Sequence, residues 1–249
     1  MKNVIVLNKK EGETPLEVLE SFRLKNKKYK DVKMTYAGRL DPMASGVLLL
    51  LAGEEVKNKE KYLNLNKKYE FEIIFGFATD TYDILGKVLP LRQDLSGRTR
   101  QDLSEEIKKN LKFFTGKFIQ KYPIYSSRTV NGEPLFSYAR KGEEVEIPNR
   151  EMEVKSLKFL KLRKINNIKL FKNIEFRVKK VKGDFRQEEI LKIWQKNLVK
   201  ENSFYIASFT IECSSGTYVR GIANSLGEKI KIPSLAFSIK RVRVGKYVI

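Results

Sequence analysis

The 249-residue sequence contains no histidine and a single cysteine, Cys213. Without histidine, no Ser-His-Asp or Cys-His triad can form, and the usual histidine-containing metal sites are excluded. One cysteine cannot close an internal disulfide or build a cysteine-based zinc site within one chain. No apolar run approaches the roughly 18 to 20 residues that span a bilayer, and the opening "MKNVIVLNKKEG" holds an apolar stretch too short for a signal peptide. The expected compartment is therefore the cytoplasm. Internal repeats, low-complexity tracts and interdomain linkers are also missing. The chemistry left open is that of Asp, Glu, Lys, Tyr and Arg.

What is present is positive charge and enough apolar residues for a core. Hydrophobic residues make up 41% of the chain, which suits a substantial globular interior. Fifty Lys plus Arg against thirty Asp plus Glu give a formal charge of +20. A field of that sign points to a polyanionic partner such as nucleic acid, although a lysine-rich proteome would raise the charge of any enzyme.

Apolar spacing divides the chain into strands and helices. Asn3 to Leu7 reads as a short buried strand. "TPLE" at Thr14 to Glu17 is a capping box with Pro15 at the first helical position, opening a helix that carries Leu16, Leu19 and Phe22. Val47 to Ala52 is a buried strand, Glu54 to about Leu65 a surface helix, and Tyr69 to Phe77 a strand buried mostly on one face. A second core helix is expected from Leu103 to Phe114. Asn131-Gly132 is the strongest hairpin signal, and a brief helix from Pro134 to Lys141 stops at Gly142. Val154 to Leu162 and Phe204 to Glu212 read as paired strands, followed by a helix that Gly216 opens. Between those strands, residues 163–202 are strongly basic and contain Ile190, Ile193, Trp194 and Leu198 on one helical face. They read as an insertion or subdomain, or equally as a solvated lid or extended hairpin with no role of its own. The mixture lacks strict βαβ alternation, so the expected class is α+β on a largely antiparallel sheet.

Several motifs could carry chemistry, and each has a plain structural alternative. Asp41-Pro42 looks like a helix start, yet Gly46 and the strand residues from Val47 leave room for only one turn. A carboxylate beside so apolar a run suits a nucleophile held ionised by one cation. "SSGTYVRGIANSLG" supplies Arg220 as that cation, with Tyr218 beside it at a strand-to-helix junction; the alternative is a helix start with a core tyrosine. Tyr69 stands at a strand start behind two lysines, where an ordinary half-buried strand residue is the commoner explanation. "SIKRVRVGKY" alternates basic and aliphatic residues, so Arg241 is expected on a cationic face that meets phosphate, though a charge-protected edge strand has the same pattern. "TDTYD" at Thr79 to Asp83 could bind Mg²⁺, but a capped turn explains it better. Cys213 reads as a small buried apolar residue.

Five segments together carry a more specific signal: "YAGRLDPMASGVLLLLAG", "NKKYEFEIIFGFATDTYDILGKV", "KYPIYSSRTVNGEPLFSYARKGEEVEI", "CSSGTYVRGIANSLGEKI" and "SIKRVRVGKY". In order and spacing they resemble the TruB family of tRNA pseudouridine synthases over nearly the whole chain apart from the basic 163–202 segment. The resemblance implies a pseudouridine synthase fold and an isomerase that converts a T-loop uridine, position 55, to pseudouridine without metal or organic cofactor. It implies Asp41 as nucleophile, Arg220 as its partner, Tyr69 stacking on the everted base and assisting proton removal, and Tyr218 and Ile239 lining the uridine pocket. Four features depart from the family pattern. Tyr36 stands where the family has a histidine that stacks within the RNA, and Lys9-Lys10 where a Lys-Pro pair is usual. A single catalytic domain over 1–249 with no C-terminal PUA domain is expected, as is a basic insertion that replaces some RNA-binding area. The expected partner is the tRNA T-stem-loop, with no membrane or metal, and the protein is expected to be a monomer. A pseudouridine synthase of another RNA stem-loop and a non-catalytic RNA-binding or tRNA-folding module are the alternatives.

Overall fold

The computed structural model describes residues 3–90, 97–198 and 203–249. In chain order the strands are β1 (Val4–Lys9), β2 (Met34–Ala37), β3 (Ala44–Ala52), β4 (Lys67–Phe75), β5 (Gly116–Lys121), β6 (Thr129–Val130), β7 (Glu133–Pro134), β8 (Asn149–Asn166), β9 (Ser203–Cys213), β10 (Ser234–Val244) and β11 (Tyr247–Val248). The helices are α1 (Pro15–Lys25), α2 (Lys59–Leu63), α3 (Arg100–Asn110), α4 (Leu135–Lys141), α5 (Asn167–Val178), α6 (Gln187–Asn197) and α7 (Val219–Ile230). One sheet runs in the order β1-β3-β10-β4-β9-β8-β5, with β2 on β3 and β11 on β10, while β6 and β7 form a separate hairpin. The pairings are antiparallel except β10 on β3. The α+β class with a largely antiparallel sheet is therefore what the chain adopts.

Burial explains which runs became strands. β3 is apolar along its length because both faces are covered: Val47, Leu49 and Leu51 meet Val244, Tyr62 and Ala37, while Leu48 and Leu50 meet Val18 and Leu19 of α1. In β4 the residues alternate, as strand geometry requires. Tyr69, Phe71, Ile73 and Phe75 join the core under α3 and α7, whereas Ile74 joins the core on the opposite face, under α5 and α6. At the parallel junction Arg241 lies beside Gly46, whose φ is +107°. A Cβ there would sit 2.1 Å from the Arg241 carbonyl oxygen, so only glycine permits this approach.

Local signals account for most helix ends and one hairpin. Thr14 and Glu17 form the anticipated capping box, with Pro15 at the start of α1. Asn131 and Gly132 take φ of +49° and +86° between β6 and β7, the conformation of a two-residue hairpin turn. α3 begins at Arg100 rather than Leu103 because Thr99 and Asp102 form a second capping box. The stretch from Glu54 to Leu65 is a 3₁₀ segment, Gly53–Asn58, followed by the short α2.

The 163–202 segment is neither a lid nor an extended hairpin within its described part, 163–198. β8 continues to Asn166, and α5 and α6 then lay Leu170, Ile174, Ile190 and Trp194 against Ile74, Phe77, Ile206 and Phe237. Each of the first four side chains is fully buried. At about 25 cal/mol per Å² of apolar surface, a buried tryptophan with three buried aliphatics contributes several kcal/mol to the fold. Residues 199–202 lie outside the described residues.

Candidate active site

Asp41 does not cap a helix. Leu40 and Asp41 are followed by a single turn that runs straight into β3, with the Ala44 N–H donating to the Asp41 carbonyl at 3.0 Å. Two buried cations grip this loop from beneath. Arg241 donates from Nε to the Val47 carbonyl at 2.8 Å and from Nη2 to the Gly38 carbonyl at 2.9 Å. Lys9 Nζ donates to the carbonyls of Ala44 at 2.5 Å and Pro42 at 3.3 Å. The turn is therefore held by backbone oxygens while the Asp41 side chain stays 34% exposed and faces a cleft of about 750 Å³.

Arg220, in the first turn of α7, is 2% exposed and closes the other side of the pair. Its Nε donates to Asp41 Oδ2 at 2.8 Å, Nη1 to the Thr81 carbonyl at 2.8 Å, and Nη2 to the Tyr125 carbonyl at 2.7 Å. All three nitrogens are thus engaged, and the guanidinium has one orientation. Gln120 fixes the start of α7 by accepting from the Tyr218 N–H at 2.9 Å and donating to the Tyr218 carbonyl at 3.0 Å.

Aromatic rings surround the carboxylate. Tyr69, from β4, is 8% exposed, and burial pushes its hydroxyl up to about 12. It is therefore a neutral phenol near pH 7, suited to stacking rather than to resting as a base. Tyr218 meets Tyr122 edge to face at 5.7 Å, and burial raises its hydroxyl also. Tyr36 stands at the rim with the Arg39 guanidinium 6.0 Å and the Lys59 ammonium 5.8 Å from its ring centre, and Arg39 Nη2 donates to its hydroxyl at 3.2 Å. The positive charge that a tyrosine lacks is thus supplied by its neighbours. Ile239 lines the cleft from β10.

All seven residues singled out from the sequence, Tyr36, Asp41, Tyr69, Tyr218, Arg220, Ile239 and Arg241, line this one cleft. One of them differs in kind from its expectation. Arg241 is 1% exposed and lies in the centre of the sheet, not on a solvent-facing cationic strand. The basic-aliphatic alternation misleads because a bulge between Arg241 and Arg243 shifts the facing of the strand. Of the basic residues in β10, only Lys240 is exposed.

Two lysines carried no sequence signal for a site: Lys67 lines the cleft, and Lys9 lies behind it, against the Asp41 turn. Lys9 is fully buried, and burial lowers its ammonium to about 8. Lys67 is likewise lowered to about 8, by burial and then by Arg241. "TDTYD" is the capped turn: Thr79 Oγ1 donates to the Asp83 carbonyl at 2.7 Å, and Asp83 Oδ1 accepts from Thr81 Oγ1 at 2.7 Å and from the Leu85 N–H at 3.0 Å. Burial pushes the Asp83 carboxyl up to about 6, against the pull of Arg220. Among the described residues no cluster of His, Cys, Asp and Glu could hold a metal ion, and no helix is long and apolar enough to cross a membrane. Cys213 is buried, as expected of a small apolar side chain.

The fold and the sequence both have relatives. The chain covers 98% of its length on a Cbf5-Nop10-Gar1 complex structure (TM-score 0.56, 18% identity, 49% of that chain). It also matches an H/ACA RNP bound to a substrate RNA containing 2′-deoxyuridine (TM-score 0.54, 17% identity, 48% of that chain). It thus spans about half the length of those chains, and at such identity the likeness concerns the fold. Among curated proteins it is 34% identical to tRNA pseudouridine synthase B of Lactobacillus acidophilus, over 97% of this chain and 68% of that one. It is 31% identical to the protein of that name from Caldanaerobacter subterraneus subsp. tengcongensis, over 97% and 69%. Residues 25–186 match the family described as "TruB family pseudouridylate synthase (N terminal domain)". The chain belongs to the TruB family of pseudouridine synthases.

Proposed function

We propose that this protein is a tRNA pseudouridine synthase that isomerises the T-loop uridine at position 55 in the cytoplasm, acting as one catalytic domain and a monomer. The observation that carries the reading is the 2.8 Å pair between Asp41 Oδ2 and Arg220 Nε at the base of a tyrosine-lined cleft. The relatives' shared name, tRNA pseudouridine synthase B, supports the substrate class.

The chemistry needs little beyond what the cleft holds. The N1–C1′ bond breaks, C5–C1′ forms, the C5 proton leaves and N1 gains one, so no electron or cofactor enters. Detachment leaves an electron-poor ribose and an anionic uracil. Asp41 is the group that stabilises or traps the sugar, because its free oxygen faces the cleft while Arg220 holds the other. Tyr69 and Tyr218 receive an everted base, as enzymes acting on stacked nucleotides require. Ile239 packs against the base edge. Tyr36, backed by Arg39 and Lys59, stacks within the loop that the base has left. With the Tyr69 hydroxyl near 12, proton removal from C5 requires a stronger base than the resting phenol offers at neutral pH. Arg241 serves binding indirectly, through the shape of the loop it holds.

The test is to incubate unmodified tRNA with wild-type protein and with Asp41→Asn, then map pseudouridine by position. Modification at position 55 that disappears in the variant is the expected result. Modification at another stem-loop would reassign the substrate, and binding without modification by either protein would reduce the chain to an RNA-binding module.

A further inference from the structure

Arg186 immediately precedes α6, in none of the five motif segments and at the last residue of the family match, and its φ of +64° is a backbone conformation that residues with side chains avoid. Its side chain returns to the cleft. Nη1 donates to Asp80 Oδ2 at 2.7 Å and to the Tyr125 hydroxyl at 2.7 Å, and the guanidinium lies 4.5 Å from the centre of the Tyr125 ring. The two partners are 106 and 61 residues away in sequence.

Those partners belong to the two segments that hold Arg220. Asp80 is in the 79–83 turn, whose Thr81 carbonyl accepts Arg220 Nη1 at 2.8 Å. Tyr125 supplies from its own carbonyl the acceptor for Nη2 at 2.7 Å. Neither segment is a helix or strand at these residues, so no ladder of backbone bonds sets the distance between them. Asp80 and Arg186 have side chains only about a fifth exposed, and a charge-assisted contact sheltered from solvent is stronger than a surface one.

Resting on the synthase reading above, we propose that Arg186 is a positioning residue: it braces the 79–83 turn against the Tyr125 loop, and through their carbonyls fixes the guanidinium that orients Asp41. The 163–198 segment thereby serves catalysis and not packing alone. Because Arg220 has all three nitrogens committed, a shift in the spacing of Thr81 and Tyr125 rotates it, and Asp41 Oδ2 moves with it. Misplacement on the order of 1 Å in such a constellation costs about a hundredfold in rate.

Single-turnover rates and tRNA affinity of Arg186→Ala, Arg186→Lys and Lys87→Ala test the brace. Lys87 bridges the same region to Glu189 of α6 at 2.6 Å but touches neither Tyr125 nor Arg220, so its loss is the control for α6 tethering. The expected result is a rate about 10- to 100-fold lower in Arg186→Ala with affinity within about threefold, partial recovery in Arg186→Lys, and a wild-type rate in Lys87→Ala. An unchanged rate in Arg186→Ala, an equal loss in Lys87→Ala, or a loss of affinity alone would each overturn the proposal. Should Arg186→Ala fold poorly, Asp80→Asn weakens the brace without emptying space, and a wild-type rate there is equally fatal. Amide hydrogen exchange of the RNA-free protein separates this idea from the synthase reading, because it needs no turnover. Faster exchange in both 79–83 and 122–128 of Arg186→Ala is expected, and unchanged exchange in either sinks the brace even if the wild type proves active.

Discussion

Two buried arginines bound the same cleft and do opposite work. Arg241, in the floor, directs its donors to the backbone carbonyls of Gly38 and Val47 and has Lys9 as its companion in holding the loop. Arg220, in the wall, divides its donors between two carbonyls and one carboxylate, Asp41. The floor fixes where the backbone of Asp41 lies, and the wall fixes where its oxygens point. Arg241 serves carbonyls and the Tyr69 hydroxyl, whereas Arg220 also holds a carboxylate whose side chain is 34% exposed to the cleft. The two should therefore fail differently, and mutation can break the distinction.

The largest effect is expected at the group both regions serve. Asp41→Asn keeps the shape and removes the charge and nucleophilicity, so turnover should fall by more than about a thousandfold. Its melting temperature should stay close to that of the wild type, because the asparagine still accepts from Arg220. A variant with more than a few per cent of wild-type single-turnover rate would remove Asp41 from the chemistry.

Next comes the contrast itself. Arg241→Met strands the buried carbonyls of Gly38 and Val47 and should cost about 3 kcal/mol of stability, measured by urea unfolding. Arg220→Met also strands two carbonyls, but it frees a carboxylate that already reaches solvent, so the loss should be smaller, about 1 to 2 kcal/mol. Its rate should nonetheless fall about a hundredfold or more. If the two variants lose stability and rate in the same proportion, floor and wall are one unit.

How much of this was legible in the sequence follows the same division. The wall was readable: Asp41 and Arg220 stand out because a carboxylate before an apolar strand and an arginine in a glycine-flanked helix start both call for a reason. The floor was not. Arg241 sits in a pattern that signals an exposed cationic face, and only the bulge beside it and the central place of β10 turn it inward. Lys9 looked like a departure from a motif, with nothing local to mark it as buried. The sheet was visible because burial on both faces leaves a continuous apolar run in β3 and most of β9, and burial on one face leaves an alternation in the start of β4 and in parts of β8. α5 and α6 were obscured by their lysines, although Ile190 and Trp194 were correctly placed on one face. Arg186 carried no local signal, since its partners lie in other segments. Because α5 and α6 complete a core, deleting 163–202 would unfold the protein, and RNA contacts there must be probed by surface substitution.

The floor also has a pH signature of its own, on the alkaline side. Burial lowers the ammonium groups of Lys9 and Lys67 to about 8 from an ordinary 10.5. Between those values the unfolded chain holds protons that the folded chain has released. From these lysines stability should therefore be level between about pH 6.5 and 8, above the range of the raised Asp83 carboxyl, and rise from there until the Cys213 thiol, raised to about 11, and then the Tyr69 hydroxyl, raised to about 12, begin to oppose it. The gain should be roughly 1 to 3 kcal/mol in all, and Lys9→Met should remove part of the slope. A flat profile from pH 7.5 to 9.5 would mean that the floor lysines stay hydrated.

The smallest effect is expected at the rim, where neither arginine reaches. Tyr36 is half-buried, with Arg39 and Lys59 near its ring and the Arg39 bond at its hydroxyl. Its truncation should leave the Asp41–Arg220 pair intact and remove one stacking surface. A stacked base is worth about 1 to 3 kcal/mol, so Tyr36→Ala should weaken tRNA binding about tenfold while bound substrate reacts at nearly the wild-type rate. Tyr36→Phe should bind nearly as well, because the ring and both nearby cations remain. A large rate loss with unchanged affinity would place Tyr36 in the chemistry and extend the wall to the rim. Unchanged rate and affinity together would leave the ring a bystander, with Arg39 and Lys59 the groups that meet the RNA.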